Sequence, residues 1–493
     1  MTDSSAPLKR NWILAALMMT MFLAAMDVAI VSTVIPQIVG DLGGFKKFSW
    51  VFSIYLLTQT ASIPLYGKMA DIYGRKLILL IGIIVFLLGS VACAASWNIE
   101  SLIAFRGLQG LGAGSIMATV NTIAGDIYTI KERSKIQGWL SSIWGVSAVV
   151  GPTLGGAMVE FVNWRWIFLI NLPVGIIAGA LLVIFLKENF EKQKQNIDYL
   201  GAFLIFSTLT LFITFILNGG ETWEWTSGWS IGLFFIVAIL TFLTIKVEQK
   251  AESPIMPLWL WTHRTFLGSI LTVMGMGMIM MGPETFLPTF AQASLGISVT
   301  LSGLILAAVS IGWPTASALS GRLYLKIGFR NTALIGTVLV ILASVGFLLI
   351  PYPQPIYLLL ADQVLLGAGF CLISTPVLVG VQSVVNWEER GVVTSASIFG
   401  RNLGQSLGAA IVGAIFNTSF SHQLAQSNLD FPENDGNVLK MLESPNLSQK
   451  AENFLHQAIN TSYSHIYYGM AIIAVLTFLA VFLMPRMMNT GSE

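Results

Sequence analysis

Long apolar runs separated by short polar connections dominate the chain. Runs of about 20 residues, enough to cross a bilayer core of about 30 Å as helices, fall at 11–35, 49–67, 77–96, 101–124, 136–159, 164–186, 197–217, 228–246, 265–291, 299–321, 331–350, 355–380, 394–416 and 466–485. This pattern predicts an all-α integral membrane protein with fourteen transmembrane helices. The composition agrees, since 55% of the 493 residues are hydrophobic and only 10% are charged, far from the balance of a soluble domain. The first run is too long for a signal-peptide core and has no clear small-residue cleavage site, so it is expected to remain as helix 1.

Charge placement tests the count and sets the orientation, because loops facing the cytoplasm concentrate lysine and arginine. With the N-terminus inside, nineteen of the 26 Lys and Arg residues fall on the inner side, from Lys9 to Arg486, and five fall outside; Arg106 and Arg401 lie within helices. The bias persists as far as Arg390, which predicts cytoplasmic N- and C-termini. The net charge of +1 points to no nucleic-acid partner. Cys93 and Cys371 both lie in apolar runs, where packing is the expected role rather than a disulfide.

The chain also repeats itself at an offset of roughly 255. GKMADIYGRK at 67–76 aligns with GRLYLKIGFR at 321–330, LGAG at 111–114 recurs at 366–369, and Glu132-Arg133 recurs as Glu389-Arg390. Duplicated bundles of this kind are a transporter signature. Three units are predicted: a six-helix bundle at 1–190, an inserted two-helix hairpin at 191–255, and a second six-helix bundle at 256–493, with a cavity between the bundles. The hairpin is flanked by the charged segments 187–196 and 246–254. Residues 417–465 read as a polar extracellular loop in which LKMLESPNLSQKAENFLHQAI can form short amphipathic helices. Asn417, Asn446 and Asn460 head Asn-x-Ser/Thr triplets.

Several motifs carry a family resemblance. In the loop after helix 2, Gly67, Asp71, Gly74, Arg75 and Lys76 match the inner-loop signature of the major facilitator superfamily. The glycines permit a tight turn, and Asp71 is placed to meet the positive N-terminal end of helix 13 from the other half, closing the cytoplasmic side. The second copy has Leu325 in place of Asp71. A positive-inside turn without a gating role is the alternative. Within helix 5, GVSAVVGPTLGG at 145–156 resembles the superfamily's antiporter motif through Gly145, Gly151, Pro152, Gly155 and Gly156. Small residues let membrane helices approach closely, and proline leaves a carbonyl free to permit a bend; a plain packing seam is the alternative.

Charges within the bilayer are costly and tend to mark ion or proton paths. Asp27, in MDVAIVSTVIP, is similar to the family's first-helix acid, and Arg106 in FRGLQGLGAG matches its buried arginine, with Gln109 one turn on. Contact between Arg106 and Asp27 would favour the ionised acid and release its proton, and loss of that contact would favour reprotonation. Glu284 and Asp362 are candidates for a second proton or cation site, with a hydrogen-bonded structural acid equally open for Asp362. Met278, Met280 and Met281, with Gln109, are candidate cavity residues, because flexible methionine surfaces suit variable ligands, although a methionine-rich helix also reads as ordinary core. Asp126 and Arg401 are assigned to the gate network.

No phosphate loop is present, so ATP is not an expected energy source, and the histidines His263, His422, His456 and His465 show no metal-ligand spacing. No catalytic constellation stands out, and neither enzyme activity nor a metal or cofactor is expected. The resemblance covers nearly the whole chain and is to the fourteen-helix drug:proton antiporter family. It implies the major facilitator fold and a monomeric exporter in a bacterial plasma membrane. Such a protein exchanges protons for small hydrophobic or cationic compounds by alternating access. Export of one metabolite, antibiotic, siderophore or lipid is the alternative with the same fold, and a membrane sensor without transport is a remoter one.

Overall fold

A computed structural model of the chain describes residues 7–42, 49–188, 198–218, 223–224, 226–427 and 448–485. The linker residues 189–197, the loop residues 428–447 including Asn446, and both chain ends lie outside the described residues. The fold is all-helical. The first half consists of α1 (Pro7–Leu42), α2 (Ser49–Tyr73), α3 (Arg75–Ala94), α4 (Ile99–Ile127), α5 (Ile130–Phe161), α6 (Trp166–Leu169) and α7 (Asn171–Phe185). The hairpin α8 (Tyr199–Asn218) and α9 (Gly228–Lys250) follows, then a short α10 (Trp259–Thr262). The second half consists of α11 (Arg264–Leu295), α12 (Val299–Ala307), α13 (Val309–Ile327), α14 (Phe329–Leu349), α15 (Ile356–Ser383), α16 (Arg390–Gln426) and α17 (Gln449–Val481).

Among the described residues, eleven helical stretches are long and apolar enough to cross a membrane. This is a multi-pass membrane protein. Three further long helices, α2, α4 and α16, of 25, 29 and 37 residues, are richer in Gly, Ser, Thr and Asn and are packed among the others. The expected loop at 417–465 is helical at both ends, because α16 continues to Gln426 and α17 begins at Gln449. Phe416, Phe420, Leu455 and Ile459 bury themselves in the core of the second half, and this apolar face extends both helices into sequence that reads as polar overall.

Local chemistry sets the helix ends. Asn98 caps α4, accepting from Ser101 N at 2.7 Å, and Glu132 accepts from Thr129 N at 2.9 Å at the start of α5. The α2–α3 and α13–α14 turns pass through Gly74 and Gly328, with φ of 95° and 89°, a region glycine enters without steric cost.

The two halves repeat one packing scheme: α1 lies on α5 and α7 as α11 lies on α16 and α17, and α4 lies on α2 and α3 as α15 lies on α13 and α14. A Cβ on Gly110 would stand 2.5 Å from the Tyr55 carbonyl oxygen of α2, and one on Gly367 would stand 2.2 Å from that of Val309 on α13. Gly112 and Gly369 make the equivalent approaches to α3 and α14. These helices therefore correspond at an offset of 257 (367 minus 110), and the LGAG match is two residues out of register. The hairpin joins the body through α8, which packs on α2 of one half and α16 of the other.

Gly112→Ala should lower thermal stability by about 1–3 kcal/mol, the usual cost of overpacking, because its Cβ would meet Phe86 N at 2.4 Å. Gly346→Ala faces open space and should leave the melting temperature in detergent unchanged or slightly raised. Equal behaviour of the two variants would contradict the close contact of α3 and α4.

Candidate functional site

The halves are joined at one end. Asp71, near the end of α2 and beyond the apolar run 49–67, accepts from the backbone N–H groups of Gly391 and Val392 at 2.9 Å each. These are the unsatisfied donors at the N-terminus of α16, where the helix dipole favours a negative charge. Gly67 lies within α2 rather than in a turn, because the helix continues to Tyr73. Its lack of a side chain admits α16, since a Cβ there would stand 2.7 Å from the Gly391 carbonyl oxygen. Arg75 donates to Asp71 at 2.8 Å, pairs with Asp126 at 3.0 Å, reaches the Trp387 carbonyl, and places its guanidinium 3.4 Å from the Trp387 ring centroid. Arg390 closes the set on Asp126 at 3.0 Å. Burial pushes the Asp71 carboxyl up to about 7, against the pull of Arg75 and the two N–H groups. Burial also raises Asp126, opposed chiefly by Arg75 and Arg390.

Around this cluster the seam is tight. Ser317 donates to the Ser134 carbonyl at 2.6 Å, the Tyr324 hydroxyl to that of Ile130, and the Gln382 amide to that of Asn121 at 3.2 Å. Helices α5 and α13 stay in contact at Gly138 with Ser317 and at Gly145 with Ser310. Seven residues before Ser310, on α12, Gly303 meets nothing within 4 Å, and α12 packs on α11 and α15 rather than on α5. The helices have parted there, so the space between the halves is a cleft open at the end away from Asp71.

Glu284 of α11 faces this cleft. Gly282 is turned toward Met470 and Ile466 of α17, and two residues on is about 200° around a helix, which aims Glu284 away from α17. Its side chain is exposed although protein atoms surround it at longer range, and the charge acting on it is Arg401 of α16. Arg401 does not join the Asp71 cluster. Eleven residues of helix after Arg390 carry it about 16 Å away. Met278, Met280 and Met281 are half-buried on α11.

A second constellation is sealed inside the first half. Asp27 and Arg106 are both fully buried and form an ion pair. Gln109 joins them, accepting from Arg106 at 2.7 Å and donating to Asp27 and Ser90 at 2.8 Å each. Gln109 thus lies inside the bundle rather than on the cavity wall, because three residues after Arg106 it shares the inward face of α4. Asn171, at the start of α7, donates to Asp27 at 3.3 Å and to Ser90 at 3.2 Å. Arg106 also donates to the Val51 carbonyl at 3.2 Å and lies 4.1 Å from the Tyr55 ring centroid. Gly151 holds α5 to α1 beside this site: its Cβ would meet Ala29 Cβ at 2.7 Å and Ile30 N at 3.1 Å. Gly155 is buried, and Gly156 faces open space.

In the second half, Asp362 is buried and accepts from the Tyr467 hydroxyl and the Gln363 amide at 2.9 Å each. Of the expected gate residues, the structure brings together Gly67, Asp71, Arg75 and Asp126. Lys76 turns away and donates to the Val183 carbonyl at 2.9 Å, while its backbone N–H and that of Arg75 are taken by Glu188 at 2.9 Å each. Sequence reasoning missed Ser90, Asn171, Gln363, Gln382, Trp387 and Glu188. Polar residues within apolar runs were the available signal for the first three, and Gln382 lies just past the end of the run 355–380. Glu188 lay in a charged linker with nothing to distinguish it. Among the described residues, no group of three or more His, Cys, Asp or Glu is placed to hold a metal ion, and both cysteines are free and buried.

Comparison with known proteins places this geometry. Residues 17–409 match the profile of the Major Facilitator Superfamily. Multidrug transporter protein MdtP of Bacillus subtilis strain 168 is 36% identical over 415 residues, covering 83% of this chain and 76% of that protein. Multidrug resistance protein 3 of the same organism is 31% identical over 485 residues, covering 95% and 93%. The crystal structure of the human organic anion transporter MFSD10 (TETRAN) superposes with a TM-score of 0.64 over 98% of this chain and 100% of that one, at 14% identity, a likeness of fold.

The elevated Asp71 carboxyl gives closure of this end a pH dependence. An acid whose value rises from about 3.8 when exposed to about 7 in the closed cluster makes closure take up a proton in that window. Its contribution to closure is fully present at low pH and is lost as the pH rises through about 7. Spin labels at Lys131→Cys and Lys326→Cys, on α5 and α13, should report a growing short-distance population as the pH falls toward mildly acid values. Asp71→Asn should flatten that dependence, and an unchanged profile in the variant would count against the assignment.

Proposed function

The chain belongs to the Major Facilitator Superfamily, and from that premise we propose that it is a proton-driven exporter of hydrophobic and cationic small molecules. In this reading fourteen helices span the membrane, both termini are cytoplasmic, and the Asp71 cluster is the cytoplasmic gate. The conformation is then closed inward and open outward. The observation that carries the reading is the pairing of that one-sided cleft with a sealed ion pair. Drug release or proton entry takes place through the open side, and the exchange returns when the Asp71 cluster opens.

The supporting chemistry is local. Asp27 is held by Arg106 in a buried ion pair. Protonation removes its charge and with it much of the attraction to Arg106, and Gly151 on α5 packs against α1 one turn away, so a change at Asp27 is felt in the helix that lines the seam between the halves. Glu284, exposed to the cleft opposite Arg401, offers a carboxylate to a cationic compound, and the half-buried methionines of α11 offer an adaptable apolar wall. The names of the two Bacillus proteins, a multidrug transporter and a multidrug resistance protein, favour several cargoes over one. The proton gradient supplies the energy, with no cofactor.

The test is flux in proteoliposomes with an imposed proton gradient and ethidium as the trial cation. Wild type should move ethidium against its gradient, and Asp27→Asn should not. Because that change leaves Arg106 buried and unpaired, at about 3–5 kcal/mol, the neutral pair Asp27→Asn with Arg106→Gln is measured beside it, and it too should fail to couple. Full gradient-driven efflux by a folded variant would refute the role of Asp27. No movement by wild type would turn the reading toward a single metabolite, antibiotic, siderophore or lipid.

A further inference from the structure

The two halves share a backbone plan but differ in where they keep charge. At the offset of 257 given by Gly110 with Gly367 and Gly112 with Gly369, the place of Arg106 in α15 is held by Gln363. The place of Asp27 on α1 corresponds to the stretch of α11 just before Met278, since Gly151 meets Ala29 and Ile30 as Gly408 meets the backbone of Met278. No acid stands there. The second half keeps its acid one position before Gln363, at Asp362, on the long helix itself.

That exchange leaves a carboxyl without a cation. The groups acting on Asp362 are the Tyr467 hydroxyl and the Gln363 amide, both on Oδ2. Oδ1 accepts no hydrogen bond among the described residues and, unlike Gln363 Oε1, is not fully enclosed. Tyr467 is itself enclosed by the ring of Phe347, with centroids 3.9 Å apart, and by that of Tyr463 at 5.3 Å. An ionised carboxylate in such a setting would be buried in the bundle with two neutral donors and no opposite charge, an arrangement proteins avoid by protonation. Oδ2, which accepts both donors, suits the carbonyl oxygen of the neutral acid, and Oδ1 is left to carry the proton.

We propose that Asp362, with Gln363 and Tyr467, is a second proton-binding site, in the second half, and that it carries its proton in this conformation while Asp27 does not. The O–H bond forms at Oδ1, Oδ2 remains the acceptor of the Tyr467 and Gln363 donors, and on release the proton goes to water. The proposal rests on the exporter reading for its role in transport, but not for the protonation itself. The bundle then holds one ionised acid, balanced by Arg106, and one neutral acid, with no net charge left in either core.

Infrared spectroscopy of the full-length protein in lipid tests the protonation directly. Wild type at neutral pH should show the carbonyl stretch of a neutral carboxylic acid that is lost in Asp362→Asn. Tyr467→Phe should shift the same band, because one of the two donors to that carbonyl oxygen is removed, and this variant serves if Asp362→Asn does not fold. A wild-type spectrum without the band, or a band untouched by both variants, would overturn the proposal. Proton release on adding ethidium in weakly buffered detergent then tests the role in transport: Asp362→Asn should release fewer protons per protein than wild type, and equal release would overturn that role. A band that behaves as expected in a protein that moves no ethidium would sink the exporter reading alone.

Discussion

Ionised groups removed from water must be paired, and the placement of charge in this protein follows from that constraint. In the bundle core the attraction between opposite charges is strong, but so is the cost of taking each out of water. Asp27 and Arg106 satisfy it face to face, and the remaining donors and acceptors around them are largely taken up by Gln109, Ser90, Asn171 and the Val51 carbonyl. Removing one member leaves the other stranded. The pair therefore holds α1, α4 and α7 in one arrangement only while its charges are balanced.

At the Asp71 end the same constraint works between halves instead of within one. Asp71 and Asp126 come from the first half, Arg390 and the α16 N-terminus from the second, and Arg75 binds the two carboxylates to each other and to Trp387. Neither half alone can neutralise this cluster, so its stability is tied to the closed position. Beyond it α5 and α13 need only small residues to stay together, and where those contacts stop the cleft begins. The hairpin α8–α9 lies across the same seam, with α8 touching α2 and α16.

Duplication preserved geometry more closely than chemistry. Gly74 and Gly328 turn the chain alike, and glycine pairs bring the central helix of each half against the same two neighbours. Backbone approach is demanding, since a single Cβ would clash, whereas the side chains lining a bundle can be exchanged as long as charge is balanced. One half has an arginine and an acid on separate helices; the other has a glutamine and an acid side by side.

How much was legible in the sequence depended on the range of the interaction. Hydrophobic length, the lysine and arginine bias and the repeat are properties of the chain itself, so they determined an all-helical membrane protein of two related bundles. The residue types of Asp27, Arg106 and Asp71 marked them as unusual, because charge in or beside an apolar run is conspicuous before any folding is known. Only the tertiary structure decided that Gln109 turns inward and that Arg401 faces Glu284 instead of the gate. It also put the repeat two residues out of the register suggested by LGAG and continued α16 and α17 into polar sequence. Each of those depends on which helix face meets which neighbour, and rotation by a fraction of a turn, invisible in composition, settles it.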